Sequence, residues 1–247
     1  MAAAMARGWA SAGDARPEAM AFADAGSGRA AALAEEVGGE AVAVGELPSR
    51  ADILVLAVKR TAIDELASSL GAELPPLISV IAGVSADRLR EAFPGAPILR
   101  AIPNVAVEVR RGLTVYVPPS PEVSVQAHKR MIGALEQLGA AVPVEESEID
   151  VATAIMSCSP AYLALVEEAL ADAGAEEGIE AGLAHELVVE TIAGTAELLR
   201  ARSPEEVRTA VASPGGATEA GLKALEQLAL TAAVEAAVAA SLERMRG

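Results

Sequence analysis

The pattern of apolar residues changes once along this chain, near residue 146, and that change limits how the chain can fold. Before this point, short apolar runs alternate with helical patterns. After Ser147 there is no strand candidate, and apolar residues recur at helical spacing. A shift in composition at PVEESEID (143–150) marks the boundary. We therefore expect two domains, residues 1–146 and residues 147–247.

The first half predicts an α/β domain. Its apolar runs are continuous rather than alternating, which is typical of strands buried on both faces. Helical patterns separate these runs, and this order predicts a mostly parallel sheet with helices on its faces. The predicted strands are residues 19–22, 41–44, 53–58, 77–82, 97–102 and 113–117. The predicted helices are residues 2–13, 28–37, 61–70, 86–92 and 122–138.

The second half predicts an all-helical domain. The stretch Ser203-Pro204-Glu205-Glu206 has the features of a helix start, because it joins a capping hydroxyl, a proline at the first position and two acids. Only 2% of the residues are aromatic, so the core must consist of Ala, Val, Leu and Ile. The predicted helices are residues 148–173, 184–201, 204–211 and 218–245.

The net charge of −16 makes nucleic acid and anionic membrane surfaces improbable partners, because an acidic surface repels phosphate groups. The apolar run 151–166 is too short to span a bilayer and contains Pro160. Cys158 is the single cysteine, so no internal disulfide can form, which suits a reducing compartment. The N-terminal residues contain no long apolar segment. We expect a cytoplasmic protein that binds neither nucleic acid nor a membrane.

The beginning of the first domain departs from the usual order of a nucleotide-binding sheet, which is strand, glycine-rich turn and helix. Here a helical pattern opens the chain, and MAFAD (20–24) has the character of the second strand. Asp24 ends that strand, where an acid can bond a ribose hydroxyl. No GxGxxG occurs. Either the recorded start lies too far downstream, which we favour because a missing central strand would leave unpaired backbone groups, or the phosphate loop is lost.

The helical half is interrupted at VASPGGATEAGL (211–222). Ser-Pro-Gly-Gly predicts a tight turn that leads into a helix, and glycines let backbone amides approach a ligand closely. Amides at a helix N-terminus bind anions such as carboxylates, and Thr218 adds a hydroxyl. An ordinary turn and helix cap would account for the same residues.

The wider sequence resembles the pyrroline-5-carboxylate reductase family, in order and over essentially the whole chain. The most specific part is VASPGGATEAGLKALE (211–226). ADILVLAVK (51–59), SVIAGVS (79–85), RAIPNVAVEVRRG (100–112) and SCSPAYLALVEEALADAG (157–174) are similar to further family segments. The resemblance implies a Rossmann domain, which here lacks its first strand and glycine loop, followed by a helical dimerisation domain. It also implies an active site where the helical domain of one subunit meets the nucleotide domain of another.

The resemblance also implies roles for individual residues. Thr218 would bond the imine nitrogen of the substrate as the catalytic residue. Backbone amides of the turn would hold the substrate carboxylate. The substrate-binding set is Ser213, Gly215, Gly216 and Ala217. The cofactor-binding set is Asp24, Ala57, Val58, Lys59, Ala82, Gly83 and Asn104.

The implied reaction is hydride transfer from NADH or NADPH to 1-pyrroline-5-carboxylate, the last step of proline biosynthesis, in a homodimer or larger homo-oligomer. A protonated cyclic imine already accepts a hydride, so binding and orientation suffice, and no metal is expected. The choice of cofactor is open, since Asp24 would repel a 2′-phosphate and Arg29 could compensate.

Two other functions compete with this one. A related imine or ketoacid reductase could share the two-domain plan, although MSCSPAYLALVEEAL (156–170) offers no lysine or histidine as a general acid. A member of the family that lost cofactor binding could instead serve as an interaction or regulatory subunit.

Overall fold

The computed structural model describes residues 1–246, which form two compact units, Met1–Pro160 together with Met245 and Arg246, and Ala161–Arg244. The first unit holds the strands β1 (Ala21–Phe22), β2 (Glu40–Ala41), β3 (Leu54–Leu56), β4 (Leu77–Ser79), β5 (Ile98–Pro103), β6 (Gly112–Val117) and β7 (Gly139–Pro143). Its helices are α1 (Ala2–Ala10), α2 (Arg29–Val37), α3 (Leu47–Arg50), α4 (Ile63–Leu70), α5 (Ala86–Ala92), α6 (Val125–Glu136) and α7 (Ile149–Met156).

The strands form two sheets. The larger has the order β3-β4-β5-β6-β7 and is parallel except between β5 and β6, while β1 and β2 form a separate parallel pair. The mostly parallel sheet is therefore confirmed. In a doubly wound sheet the first strand lies between the second and the fourth. Within residues 1–246 no strand joins β1 to β3, so the sheet is interrupted at that place.

Helices cover both faces of the larger sheet. On one face α1 and α6 pack against β4 and β5. On the other, α4 and α5 pack against β3, β4 and β5. Every residue of β4 and β5 is buried, as the continuous apolar runs predict. The two clusters make this unit a three-layer α/β/α domain.

One charged side chain is buried in that sheet. Arg100 of β5 is only 5% exposed and forms an ion pair with Glu146, which also accepts a hydrogen bond from the backbone amide of Ala86. A buried guanidinium needs a carboxylate partner. The pair therefore fastens the acidic stretch 143–150 to the sheet.

The second unit contains five helices: α8 (Ser159–Glu176) from Ala161 onward, α9 (Ala181–Ala201), α10 (Pro204–Val211), α11 (Ala217–Gln227) and α12 (Leu230–Arg246) as far as Arg244. The all-helical second half is confirmed. The helix start predicted at Ser203 is confirmed as well, and the structure adds a capping box there, since Ser203 Oγ accepts from Glu206 N and the Glu206 carboxylate accepts from Ser203 N.

Several details were predicted wrongly, among them the short helix α3, which was missed, and the end of α1, which lies at Ala10 rather than at residue 13. The sequence analysis also missed β7, an exposed edge strand made of Gly-Ala-Ala-Val-Pro that lacks a strong apolar run. The helix expected over 148–173 is two helices, separated at Ser157 and Cys158. The helix expected over 218–245 is also two, because Ala229 adopts a left-handed conformation with φ 56°.

The boundary at residue 146 stays a prediction. The structure assigns α7 to the unit that contains the sheet, because Ile149 and Met156 pack in a buried cluster with Ile102 of β5 and Val115 of β6. The boundary expected from the hydrophobic pattern therefore lies before α7, whereas the boundary between the packed units lies after it.

The helical unit leaves most of its apolar side chains uncovered. Within residues 161–244 only Ala184 is buried. The span Ile149–Glu176, which contains α7 and α8, has a mean hydropathy of 1.5 in its most apolar window. By length and composition alone it could cross a membrane. The same properties are expected of a helix whose apolar face packs against a partner.

A close backbone approach in the first unit leads to our first prediction. A Cβ atom on Gly8 of α1 would lie 2.2 Å from the carbonyl oxygen of Val107, whereas one on Gly133 of α6 would meet nothing within 4 Å. We expect Gly8→Ala to lower the free energy of unfolding by about 1–3 kcal/mol. Gly133→Ala should raise it by up to about 1 kcal/mol. Urea denaturation measures both, and equal effects would contradict this packing.

Candidate functional site

Three neighbouring parallel strands bring most of the proposed cofactor residues to one edge of the sheet. Strands β3, β4 and β5 are paired in parallel, so their carboxyl ends lie at the same edge. The segments that follow these ends contain Ala57, Val58, Lys59, Ala82, Gly83 and Asn104. The carboxyl edge of a parallel sheet is where ligands bind in α/β domains.

The segments that follow β3 and β4 lie close to each other. Gly83 has φ +71°, and a Cβ atom there would lie 3.9 Å from Nη1 of Arg60. Lys59 is exposed in an extended conformation, and its ammonium forms no ion pair within residues 1–246. The edge therefore presents two adjacent basic side chains beside a loop without side-chain bulk, an arrangement that suits an anionic ligand.

The side chain of Asn104 is used within the fold. Its Nδ2 donates to the carbonyl oxygen of Met156 at 3.2 Å, and its Oδ1 accepts from the amide of Leu113 at 3.1 Å. These bonds tie the end of β5 to β6 and α7. Asn104 is thus placed to shape the edge of the sheet, while both ends of its amide already have partners.

Asp24 lies beside the smaller sheet, two residues after the end of β1. Its carboxylate accepts four hydrogen bonds: Oδ1 from the amides of Gly26 (2.8 Å) and Ser27 (2.9 Å), and Oδ2 from the Ser27 hydroxyl (2.9 Å) and the amide of Ala30 (2.8 Å). The bond from Ala30, followed by that from the Ser27 hydroxyl, lowers the pKa of Asp24 from 3.8 to about 2. Gly28 at the start of α2 has no side chain, so Asp24 caps this helix.

A groove of about 350 Å³ opens beside this turn. Its lining includes the glycines of the turn and three carboxylates, Asp24, Glu40 and Glu46. Arg50 pairs with Glu40 at 3.0 Å. Gly26 and Gly28 have φ +82° and +76°, and a Cβ atom on either would meet only open space. The turn is thus a glycine-rich concavity of predominantly negative charge.

In the helical unit the predicted turn lies between α10 and α11. Gly215 has φ +72°, a conformation that favours glycine. The amide of Gly216 donates to the Ser213 carbonyl at 2.9 Å, and a Cβ atom on Gly216 would lie 2.6 Å from Ser213 Oγ. The backbone conformation therefore favours glycine at 215, and a side chain at 216 would crowd Ser213. The turn is exposed at Ser213 and Gly215.

The N-terminus of α11 offers backbone donors. Its N-cap residue Gly216 supplies no side-chain cap, so the amides of the first turn, which starts at Ala217, lack that partner. Thr218 is exposed in this turn, and its hydroxyl makes no hydrogen bond to any residue from 1 to 246. Amides and a hydroxyl grouped in this way suit an anionic, polar ligand.

The sequence analysis missed Glu219 in this turn. One of its oxygens accepts from the amide of Gly215 at 2.8 Å, and the other contacts Lys223 Nζ at 3.1 Å. The hydrogen bond from Gly215, and then Lys223, lowers the pKa of Glu219. The four-residue spacing to Lys223 is a sequence signal for the ion pair. The carboxylate of Glu219 thus accepts from the amide of Gly215, which was predicted to bind the carboxylate of the substrate.

No metal centre accompanies these groups. Across residues 1–246 there is no cluster of three or more His, Cys, Asp or Glu side chains arranged to hold a metal ion. The polar groups described above are the amides and the Thr218 hydroxyl in the helical unit, and the side chains of Lys59 and Arg60 in the unit that contains the sheet.

Two family models match the chain. The model for pyrroline-5-carboxylate reductase dimerisation matches residues 146–247, and the model for coenzyme F420-dependent NADP oxidoreductases matches residues 1–83. The pyrroline-5-carboxylate reductase of Synechocystis is 36% identical over 203 residues, which are 81% of this chain and 76% of the relative. That of Thermus thermophilus is 36% identical over 196 residues, 78% of this chain and 74% of the relative.

Solved structures agree with the sequence comparison. The 1-pyrroline-5-carboxylate reductase of Streptococcus pyogenes has a TM-score of 0.87 at 29% identity and covers 98% of this chain and 94% of its own. The pyrroline carboxylate reductase of Plasmodium falciparum, solved with NADP bound, has a TM-score of 0.86 at 27% identity, with 98% and 92% coverage. The similarity therefore extends through both units.

The hydrogen bonds of Asp24 lead to the second prediction. A carboxyl whose pKa is lowered by folding contributes stability above its unfolded value, and this contribution is lost as the pH falls through the folded value. For Asp24 that window extends from about pH 4 down to about pH 2. We expect the ¹³C shift of its carboxyl carbon to remain that of a carboxylate at pH 3. A midpoint near 3.8 would contradict the four hydrogen bonds.

Proposed function

The chain belongs to the pyrroline-5-carboxylate reductase family, and we infer that it reduces 1-pyrroline-5-carboxylate to L-proline with NADH or NADPH, the last step of proline biosynthesis. The observation that carries this inference is the turn before α11, where a carboxylate already binds the amide of Gly215 beside the free hydroxyl of Thr218. Neither a subunit without catalysis nor a different imine or ketoacid reductase is favoured, because the relatives with 32–36% sequence identity are pyrroline-5-carboxylate reductases.

The substrate carboxylate binds at the start of α11. The amides of Gly215 and Ala217, with Ser213, hold its oxygens, while the amide of Gly216 stays bonded to the Ser213 carbonyl and keeps the turn closed. The positive end of the helix dipole favours the charge of the carboxylate. Glu219 has to leave the amide of Gly215 for this, and Lys223 stays as its partner. The exchange replaces one carboxylate by another, so no amide is left without an acceptor.

Thr218 orients the ring. Its Oγ1 accepts a hydrogen bond from the protonated imine nitrogen, which fixes that nitrogen while the carboxylate is held by the amides that directly precede Thr218. Two anchoring points define which face of the ring is open to the reductant. Because a protonated cyclic imine is already electrophilic, positioning of this kind is the main requirement.

The groove and the sheet edge fit a dinucleotide. The open glycine turn after β1 leaves room for a ribose at Asp24, while Lys59 supplies a positive charge for the phosphates. Ala57, Val58, Ala82 and Gly83 contribute a surface of small side chains, and Asn104 holds that surface in place. The bound cofactor supplies a hydride. The residues named here bind it and keep its position relative to the substrate.

A homodimer or larger homo-oligomer, located in the cytoplasm, is part of the same proposal. The dimerisation model covers the whole helical unit, and this unit exposes large apolar side chains such as Leu165 and Leu228. A second copy of the same surface would cover them. The single cysteine, Cys158, suits a reducing compartment.

The third prediction tests the proposed reaction. We expect Thr218→Ala to lower kcat by about ten- to a thousandfold, the effect of one lost hydrogen bond in a transition state, and Thr218→Ser to retain most of the activity. Proline formation from 1-pyrroline-5-carboxylate and NADH or NADPH deuterated at C4 is followed by mass spectrometry, which should show one deuterium in the ring.

Thr191→Ala is the matched control, because the hydroxyl of Thr191 donates to Leu187 within α9. It should leave the rate unchanged. Equal rates for Thr218→Ala and the control would remove Thr218 from the mechanism. Absence of labelled proline with the unmodified protein would overturn the proposed function itself.

A further inference from the structure

The turn between β1 and α2 is a ring of hydrogen-bond donors closed around one carboxylate. Three backbone amides and the Ser27 hydroxyl converge on the two oxygens of Asp24. A carboxylate has about four lone-pair sites, so every acceptor position of Asp24 has a donor. Amides in successive glycine-containing turn positions form a concavity that binds anions. Here that anion belongs to the chain.

A 2′-phosphate would need the same donors. It carries between one and two negative charges near neutral pH and binds where amides or cationic side chains converge. At this turn the amides of Gly26, Ser27 and Ala30 are directed at Asp24 instead. A phosphate placed beside them would also face the charge of Asp24, which remains ionised throughout the physiological range.

The surrounding charges do not reverse this repulsion. Glu40 and Glu46 line the same groove as Asp24. Of the basic side chains nearby, Arg50 is paired with Glu40, and Arg29 directs its Nε to Ser27 Oγ at 3.1 Å. Arg29 is thus the basic group on the turn itself, opposite three carboxylates. The groove keeps a negative field, which favours a neutral ribose over a phosphorylated one.

A free 2′-hydroxyl can be accommodated without breaking the ring of amides. The Ser27 hydroxyl is the one donor to Asp24 that can rotate away, whereas the three amides are fixed by the backbone. A ribose hydroxyl can donate to Oδ2 in its place, and Ser27 then keeps Arg29 as a partner. The exchange is one hydroxyl for another.

We propose that Asp24 makes this chain select NADH over NADPH, because its carboxylate fills the donor ring that a 2′-phosphate would require. The proposal rests on the proposed function, in which this groove receives the adenosine end of the cofactor. Asp24 is then a specificity-determining residue as well as the cap of α2.

The fourth prediction is a binding measurement on the full chain. NADH and NADPH are titrated by their own fluorescence into the unmodified protein, Asp24→Ser, Asp24→Asn and the control Asp87→Asn, whose carboxylate is exposed in α5. We expect the unmodified protein and the control to bind NADH at least about tenfold more tightly than NADPH. A factor of this size is expected when a charged group, here the 2′-phosphate, is bound without hydrogen-bond partners. Asp24→Ser frees three amides and should bring the Kd of NADPH below that of NADH.

Smaller probes isolate the groove from the rest of the cofactor site. Adenosine 5′-monophosphate should displace NADH from the unmodified protein, and adenosine 2′,5′-bisphosphate should do so only from the Asp24 variants. Circular dichroism monitors the helix content of each variant. If capping by Asp24 proves essential for α2, the comparison of the two nucleotides on the unmodified protein still decides the question.

The outcomes separate the two proposals. Equal or tighter binding of NADPH to the unmodified protein, with proline still produced, overturns the role of Asp24 and leaves the reductase assignment intact. An unchanged preference in folded Asp24→Ser overturns it as well. Failure of the unmodified protein to bind either nucleotide, with no labelled proline formed, overturns both.

Discussion

The apolar surface of the helical unit is the constraint on which the rest of the molecule depends. Leu165 is 66% exposed and Leu228 is 82% exposed, and within residues 161–244 only Ala184 is buried. Helices of this length gain most of their stability from packing rather than from propensity. The turn that carries Thr218 connects two such helices, so we expect a partner that covers this surface to stabilise the geometry proposed for substrate binding.

Two carboxylates of the chain occupy backbone donors that a ligand would use. Glu219 takes the amide of Gly215, and Asp24 takes the amides of Gly26, Ser27 and Ala30. The first can yield to a substrate carboxylate, because Lys223 retains it. The second is also the cap of α2 and stays in place. A carboxylate bound to backbone amides therefore has two consequences: at Gly215 it can be replaced by the substrate carboxylate, whereas at the turn after β1 it excludes a phosphate.

The sequence predicted those parts of the fold that are set by local pattern. The buried strands β4 and β5 are continuous apolar runs, and α10 begins with a capping box at Ser203. The turn at Gly215 and Gly216 was predicted from the sequence Ser-Pro-Gly-Gly, and Gly215 does adopt a conformation that favours glycine. β7 was missed because an exposed edge strand needs no apolar run. The helix break at Ala229 was missed because alanine does not usually adopt the left-handed conformation found there.

The hydrogen-bond partners of the site residues could not be predicted, because they depend on which groups the fold brings together. The bonds of Asn104 to Leu113 and Met156 are an example.

The measurement that tests the proposed assembly most directly is sedimentation of the folded chain, combined with urea unfolding at several protein concentrations. A second copy covering the helical unit predicts a mass of at least two chains and an unfolding midpoint that rises with concentration. A single folded chain with a midpoint independent of concentration would contradict it.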